Sequence, residues 1–427
     1  MFSLTAASTT TATAATAAVV VATATLLAGC AEQRAPSADA DPATTAAPAD
    51  SGSANAPPPT SPAATADPAS SAAVTSTTSA ASGEPPRSPP KDHVTLIGAG
   101  DACFGRLVGQ EILKDPTFNP FTSSEPLLSS ADIRFVNLES QLSDQKGETQ
   151  SPTQKLVFTG PPGGGAALAR GRIDIVSAAN NHMWDYGQAA FFETLDNLEK
   201  AGVKYAGAGR TRDRAYAPEI VEAAGHRVAF LAYTGIWNQG SLSRHPGKDH
   251  VAEATRAAVV EGVRAARARS DVDFVVVSYH GGEEYVSAPL QLAIDLHHAA
   301  IDAGADAVLG HHPHVAQGIE LHRGKPIFYS LGNYLMRIHG THLETEIGFF
   351  ARITFSKGAA PRAWVCPFRI SGVVPKPIPL ADDPRKDIYE RMFRQRLRIV
   401  QGSLVAPAAI GPTEADGCSA VTPRDPK

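Results

Sequence analysis

Leu309-Gly310-His311-His312-Pro313-His314 sets three imidazoles within four residues at the end of an apolar run, Ala305 to Leu309. In extended backbone, residues i and i+2 face the same side, so His312 and His314 can converge while Pro313 stiffens the peptide between them. Neutral imidazole is the commonest metal ligand. Taken alone, such a turn fits a metal site and a solvent-facing polar loop equally well. Four other polar clusters that follow strand-like runs shift the balance toward a shared metal centre.

Working outward, short β-branched runs alternate with amphipathic stretches from His93 onward, the pattern of a layered α/β domain. Val94 to Gly98 predicts a strand, and Gly100 to Arg106 predicts the turn into a helix reaching Leu113. Ile133 to Leu138 predicts a second strand, ending in Asn137-Leu138-Glu139. Lys155 to Thr159 predicts a third, and Ile173 to Ser177 a fourth that runs into Asn180-Asn181-His182-Met183-Trp184-Asp185. Gln188 to Ala201 has helical spacing, with Ala189, Phe192, Leu195 and Leu198 on one stripe. Val221 and Arg227 to Tyr233 predict a hairpin, and Trp237 to His250 a long, Gly-containing flap. A helix over Glu253 to Arg269 precedes the apolar strand Asp273 to Tyr279, which delivers His280-Gly281-Gly282-Glu283-Glu284-Tyr285. A helix over Pro289 to Ala303 then leads to the histidine cluster. Pro326 to Ser330 runs into Leu331-Gly332-Asn333, followed by edge strands over Gly348 to Phe355 and Arg362 to Ile370 and a helix over Asp387 to Val400. Ligands of open α/β sheets bind at the carboxyl ends of strands, so one site assembled from these segments is geometrically reasonable.

The first ninety-odd residues do not join that core. Ala31 to Pro90 has no aromatic residue and little but Ala to bury, the composition of a disordered linker. All 14 histidines lie at or beyond His93, so the chemistry belongs to the later part of the chain. Ala17 to Ala28 is a small-residue apolar stretch ending in Leu27-Ala28-Gly29-Cys30, which resembles the lipobox of bacterial lipoproteins and marks Cys30 as the lipidated residue. No Lys or Arg precedes Arg34, a departure from the usual positive start of a signal peptide. The expected organisation is a signal peptide over 1–30, a linker over 31–92, a folded domain over 93–380, and a C-terminal helix with a loose tail over 381–427. Cys103, Cys366 and Cys418 are too scattered to suggest a disulfide framework. With 38 Lys and Arg against 43 Asp and Glu, nothing predicts nucleic-acid binding.

Asp101, Glu139, Asn181, His280, His312 and His314 form a carboxylate, amide and imidazole set. Oxygen and nitrogen donors of this kind suit one or two divalent ions, Mn, Fe or Zn, better than a structural zinc. A shared carboxylate would let two cations sit roughly 3.5 to 4 Å apart and polarise a phosphoryl oxygen. His182 is then the free imidazole, placed to donate a proton to a leaving oxygen or to stabilise charge there. Asp185, three residues on, either bonds His182 or caps the following helix. Glu284 and Tyr285 either line the pocket or cap a turn; Asn333 either contacts substrate or satisfies backbone; Arg106 is an anion contact or a surface ion pair. Asn180 joins the substrate-facing set, and His297 and His298 read as structural.

The ordered motifs Gly100-Asp101, Asn137-Leu138-Glu139, Asn180-Asn181-His182-x-x-Asp185-x-Gly187, His280-x-Gly282-x-Glu284-Tyr285, Gly310-His311-His312-Pro313-His314 and Ser330-Leu331-Gly332-Asn333 resemble the CapA/PgsA family of bacterial poly-γ-glutamate capsule-synthesis proteins, relatives of the calcineurin-like metallophosphoesterases. The resemblance spans about residues 93 to 375. It implies a four-layer αββα sandwich with two β-sheets face to face and helices outside. It also implies Asp101, Glu139, Asn181, His280, His312 and His314 as metal ligands, Glu139 bridging, with His182 beside them. Cys103 departs from the pattern, since the phosphoesterases carry a histidine ligand there. The implied function is an extracytoplasmic, membrane-anchored protein of capsule or cell-surface polymer synthesis, acting beside membrane-bound synthase subunits. A plain metal-dependent phosphoesterase and a non-catalytic metal-binding scaffold are the alternatives.

Overall fold

The computed structural model describes residues 91–238, 246–338, 343–397 and 407–424. The expected signal segment with Cys30, the linker up to residue 90, and residues 239–245 of the expected flap lie outside the described residues.

Two sheets form the body. From edge to edge the first runs Ala408–Thr413, Ser419–Pro423, Arg362–Ser371, Ile347–Ser356, His93–Ala102, Ile133–Leu138, Ile175–Ser177, Lys204–Ala206. The second runs Ile319–His322, Lys325–Phe328, Ala307–His311, Phe274–His280, His226–Thr234, Glu219–Ala223. Within each, four neighbouring strands are parallel: His93–Ala102 through Lys204–Ala206 in the first, and Lys325–Phe328 through His226–Thr234 in the second. Parallel strands are covered on both faces and so read as continuous apolar runs; Phe274–His280 is buried at every position.

The sheets face one another across one core that includes Ile97, Phe135, Phe230, Val276, Leu309 and Phe328, with Phe135 stacked on Phe230 at 5.9 Å between ring centroids. Helices Arg106–Lys114, Gly163–Arg170 and Gly187–Ala201 pack into that core through Val108, Leu168 and Leu195. Helices Arg256–Arg267 and Gln291–Ala303 cover the other face of the second sheet, where Val259, Val263 and Ile294 meet Val275, Val277 and Val308. The layers are therefore helix, sheet, sheet, helix, as expected.

Several local expectations need correction. Lys155 to Thr159 is not a strand: Thr159–Gly160 pairs and Phe158 makes an isolated bridge to Gln150, while Leu156 is 67% exposed on a small turn closed by the Ser151 N–H donating to Val157 O. In Gly187–Ala201 the inward stripe is Ala190, Phe191, Thr194, Leu195 and Leu198, one position off the expected Ala189 and Phe192. The tail is not loose. Ala408–Thr413 and Ser419–Pro423 pair antiparallel, and Ser419–Pro423 extends the first sheet along Arg362–Ser371. That docking brings Cys418 to Cys366 as a disulfide across 52 residues, so two of the three scattered thiols are paired and Cys103 is the free, buried one.

Candidate metal centre

The parallel strands of both sheets end at one place. In the first sheet Asp101 pairs with Asn137, and Asn137 with Ser177; in the second His280 pairs with both Thr234 and His311. Side chains alternate along a strand. Asn137 and Glu139 therefore share the face of Phe135, the one turned to the second sheet, and both project toward His280. Close backbone crossings hold the ends together. A Cβ on Gly100 would lie 1.8 Å from Gly332 O, and one on Gly310 would lie 2.0 Å from Tyr329 O, so only glycine fits either place. The first crossing lets the Asp101 N–H donate to Gly332 O at 3.1 Å.

Glu139 is the centre of the cluster. It is fully buried, and among the described residues neither of its oxygens meets a hydrogen-bond donor. His280 Nε2 is 3.6 Å from Oε1, His182 Nε2 3.9 Å and His314 Nε2 4.0 Å. Two overlapping sets, Glu139 with His312 and His314, and Glu139 with Asp101 and His280, bring ligand atoms within 4.8 Å of one another. Asn181 joins them: its Nδ2 donates to Asn238 Oδ1 at 3.2 Å, which turns its Oδ1 toward His280 Nε2 at 2.8 Å. All six expected ligands thus converge.

Asp101 accepts from Asn137 Nδ2 at 2.9 Å and from the His312 N–H at 3.2 Å, with His311 Nδ1 3.3 Å and His314 Nδ1 3.4 Å away. Burial pushes its carboxyl up, but His311 and His314 outweigh that and hold it well below the usual range. Glu139 moves the opposite way, raised by burial and by the Asp101 charge beside it. Burial, reinforced by His312, keeps His280 well below an ordinary imidazole, and burial with His314 takes His312 down to about 4, so both imidazoles are neutral near pH 7. A buried carboxylate with no donor beside a second carboxylate is costly unless a cation offsets it. The oxygen and imidazole donors present fit a divalent metal ion.

His182 also reaches this cluster, its Nε2 3.9 Å from Glu139 Oε1. Residue 180 is a bend and 181–186 a turn, so the chain reverses between Asn181 and His182 and both side chains reach the cluster. Asp185 Oδ2 is 2.8 Å from His182 Nδ1 and also accepts the Phe158 N–H, so of its two readings the bond to His182 is the one observed; Tyr186, with no side-chain cap, is the N-cap of the helix. Phe158 stacks on His182 at 4.1 Å, and the Arg106 guanidinium lies 4.6 Å from the centre of the Phe158 ring.

The expected substrate-facing residues divide. Arg106 and Tyr285, half-buried, and Glu284, exposed, lie around the mouth of the cluster, and the Tyr285 ring is 6.2 Å from His314. Arg106, Tyr285, His312 and His314 all have positive φ, strain of the kind that collects at functional sites. Asn180 and Asn333 are committed internally instead. Asn180 Nδ2 donates to Leu138 O at 2.8 Å while its Oδ1 accepts the His182 N–H; Asn333 Oδ1 is 2.9 Å from His314 Nδ1 and its Nδ2 donates to Thr345 O. Asn333 is fully buried, so it turns His314 Nε2 toward Glu139 and does not face solvent. Burial pushes the Cys103 thiol up to about 12. Sequence reasoning missed Asn137, Phe158 and Asn238; the i, i+2 relation of Asn137 to Glu139 was the available signal for the first.

The family described as "Bacterial capsule synthesis protein PGA_cap" matches residues 95–337, more than half of the chain. "Capsule biosynthesis protein CapA" of Bacillus anthracis is 27% identical over 306 residues, covering 71% of this chain and 74% of that one. "PGA biosynthesis protein CapA" of Bacillus subtilis (strain 168) is 29% identical over 306 residues, covering 71% and 78%. Among solved structures, a putative 5'-nucleotidase from Staphylococcus aureus is 12% identical with a TM-score of 0.38, covering 71% of this chain and 58% of that one. With the strand-end motifs lying inside the matched segment, the chain belongs to the PGA_cap family of bacterial capsule synthesis proteins.

Proposed function

We propose that this chain serves the synthesis of a capsule or related cell-surface polymer outside the cytoplasm, through a metal-dependent phosphoesterase-like site. The observation that carries the metal site is Glu139, a buried carboxylate without a donor, ringed by Asp101, Asn181, His280, His312 and His314. One or two divalent ions, Mn, Fe or Zn, held there would supply Lewis-acid polarisation of a phosphoryl oxygen. His182, oriented by Asp185, is placed to protonate the leaving oxygen. Arg106 and Tyr285 at the mouth hold an anionic substrate in reach.

The paired Cys366 and Cys418 support an oxidising compartment. No described helix is long and apolar enough to cross a membrane. Attachment through a lipid on Cys30, with residues 31–92 as the spacer between membrane and domain and membrane-bound synthase subunits as partners, is the proposed arrangement. Cys30→Ser is expected to move the protein out of the detergent phase; unchanged partitioning contradicts the anchor.

Cys103 favours a second reading, a metal-holding scaffold without turnover. A buried thiol at about 12 stands where the resembled phosphoesterases carry a histidine ligand, leaving fewer groups for one of two metals. The full-length chain loaded with Mn, Fe or Zn and offered phosphomonoesters and phosphodiesters separates the two. Hydrolysis that chelation abolishes supports the enzyme; bound metal without hydrolysis of any ester leaves the scaffold.

A further inference from the structure

We propose that His298, Glu320 and His322 form a second divalent-metal site, for zinc, which shares no residue with the centre around Glu139. Two short-range patterns build it. His298 and Asp302 are four residues apart on helix Gln291–Ala303, and Glu320 and His322 are two apart on strand Ile319–His322, so each pair shares a face of its element. The faces meet. His298 Nε2 is 2.9 Å from Glu320 Oε2, which also accepts the Tyr329 hydroxyl at 2.7 Å. His322 Nε2 is 2.9 Å from Asp302 Oδ1, and the two imidazoles stack at 4.1 Å with 8° between their planes.

The ligand atoms of His298, Glu320 and His322 lie within 4.8 Å of one another, so shifts of about 1 Å bring them to a common ion at roughly 2.0 to 2.2 Å. Two imidazoles and a carboxylate select zinc over magnesium or calcium. Glu320 is fully buried while the side chains of His298, His322 and Asp302 are 17%, 16% and 42% exposed, so one anchor is fixed and the ion enters from solvent. Asp302, also bonded by Arg323 Nε at 2.8 Å, is placed to hold His322 or to complete the shell. The metal would clip the hairpin at the edge of the second sheet to the helix beside it.

The full-length chain and its His298→Gln/His322→Gln variant are loaded with Zn2+, desalted, and their metal content measured. The variant is expected to hold one equivalent fewer, and Zn2+ to raise the wild-type Tm by about 3 °C more than that of the variant. Equal content in the two proteins overturns the site. If the double variant misfolds, the more exposed His322→Gln alone, checked for folding by circular dichroism, takes its place: one equivalent lost supports the site, none lost contradicts it. Adventitious surface zinc is recognised as metal that both proteins retain.

Discussion

Asp185 Oδ2 lies 2.8 Å from His182 Nδ1 and turns the ring so that Nε2 points at Glu139, 3.9 Å from Oε1. A carboxylate behind an imidazole fixes its tautomer and strengthens it as a base. His182 is close to the ligand cluster, yet its anchors are Asp185 and Phe158 and not the groups that ring Glu139. His182→Ala should therefore keep the metal content of the wild type while lowering turnover of a cleaved ester roughly a hundredfold or more. Asp185→Asn should keep metal as well and lower turnover less. Metal loss on His182→Ala would make His182 a ligand.

Gly100 gives a stability prediction. Its missing Cβ leaves room for Gly332 O, 1.8 Å from where that atom would be, and the crossing there sets Asp101. Gly100→Ala should cost roughly 3 kcal/mol or more, because the obstacle is backbone and cannot rotate away. Denaturant unfolding measures it; a cost under about 1 kcal/mol would show that the two strands separate easily.

The Cys366–Cys418 bridge closes a segment with a sequence separation of 52. Loop-closure entropy puts its contribution at about 4 kcal/mol. Cys366→Ser/Cys418→Ser should lower unfolding free energy on that scale and free the hairpin Ala408–Thr413 and Ser419–Pro423 to exchange its amide hydrogens. Thiol counting in denaturant should find this pair oxidised.

His297 predicts an acid sensitivity. It is buried between Tyr279 and Tyr329, and burial lowers its pKa from the ordinary 6.5 to about 3. The unfolded chain therefore binds this proton more readily than the folded one. Its contribution is fully present above about 6.5 and is lost as pH falls toward about 3, at about 1.4 kcal/mol per pH unit. His297→Phe should flatten the stability profile by that slope between pH 6 and pH 4, roughly. Parallel profiles for the two proteins would mean that His297 titrates normally.

The residues that converge on the candidate centre were legible because each is a local signal at a strand end: Asp101 after Val94 to Gly98, His280 after Asp273 to Tyr279, His312 and His314 after Leu309. What pairs them was not. Asn137 reads as one polar residue in an apolar strand, and its bridge from Asp101 to His280 exists only once the two sheets face each other. Asn333 carries no mark in the sequence that separates a substrate contact from the group behind His314. The C-terminal strands were missed because Ala408–Thr413 and Ser419–Pro423 are short and weakly alternating, and their place is set by the first sheet's edge and by Cys366.

Glu139 is the residue on which the proposed metal centre turns. Its oxygens are buried without donors, so a cation is what makes its charge tolerable. Metal content per chain is therefore to be measured for the purified wild type and for Glu139→Gln at equal folding. One or two equivalents of divalent metal present in the wild type should be missing from Glu139→Gln. Equal metal content in the two proteins would contradict a metal centre built around this carboxylate.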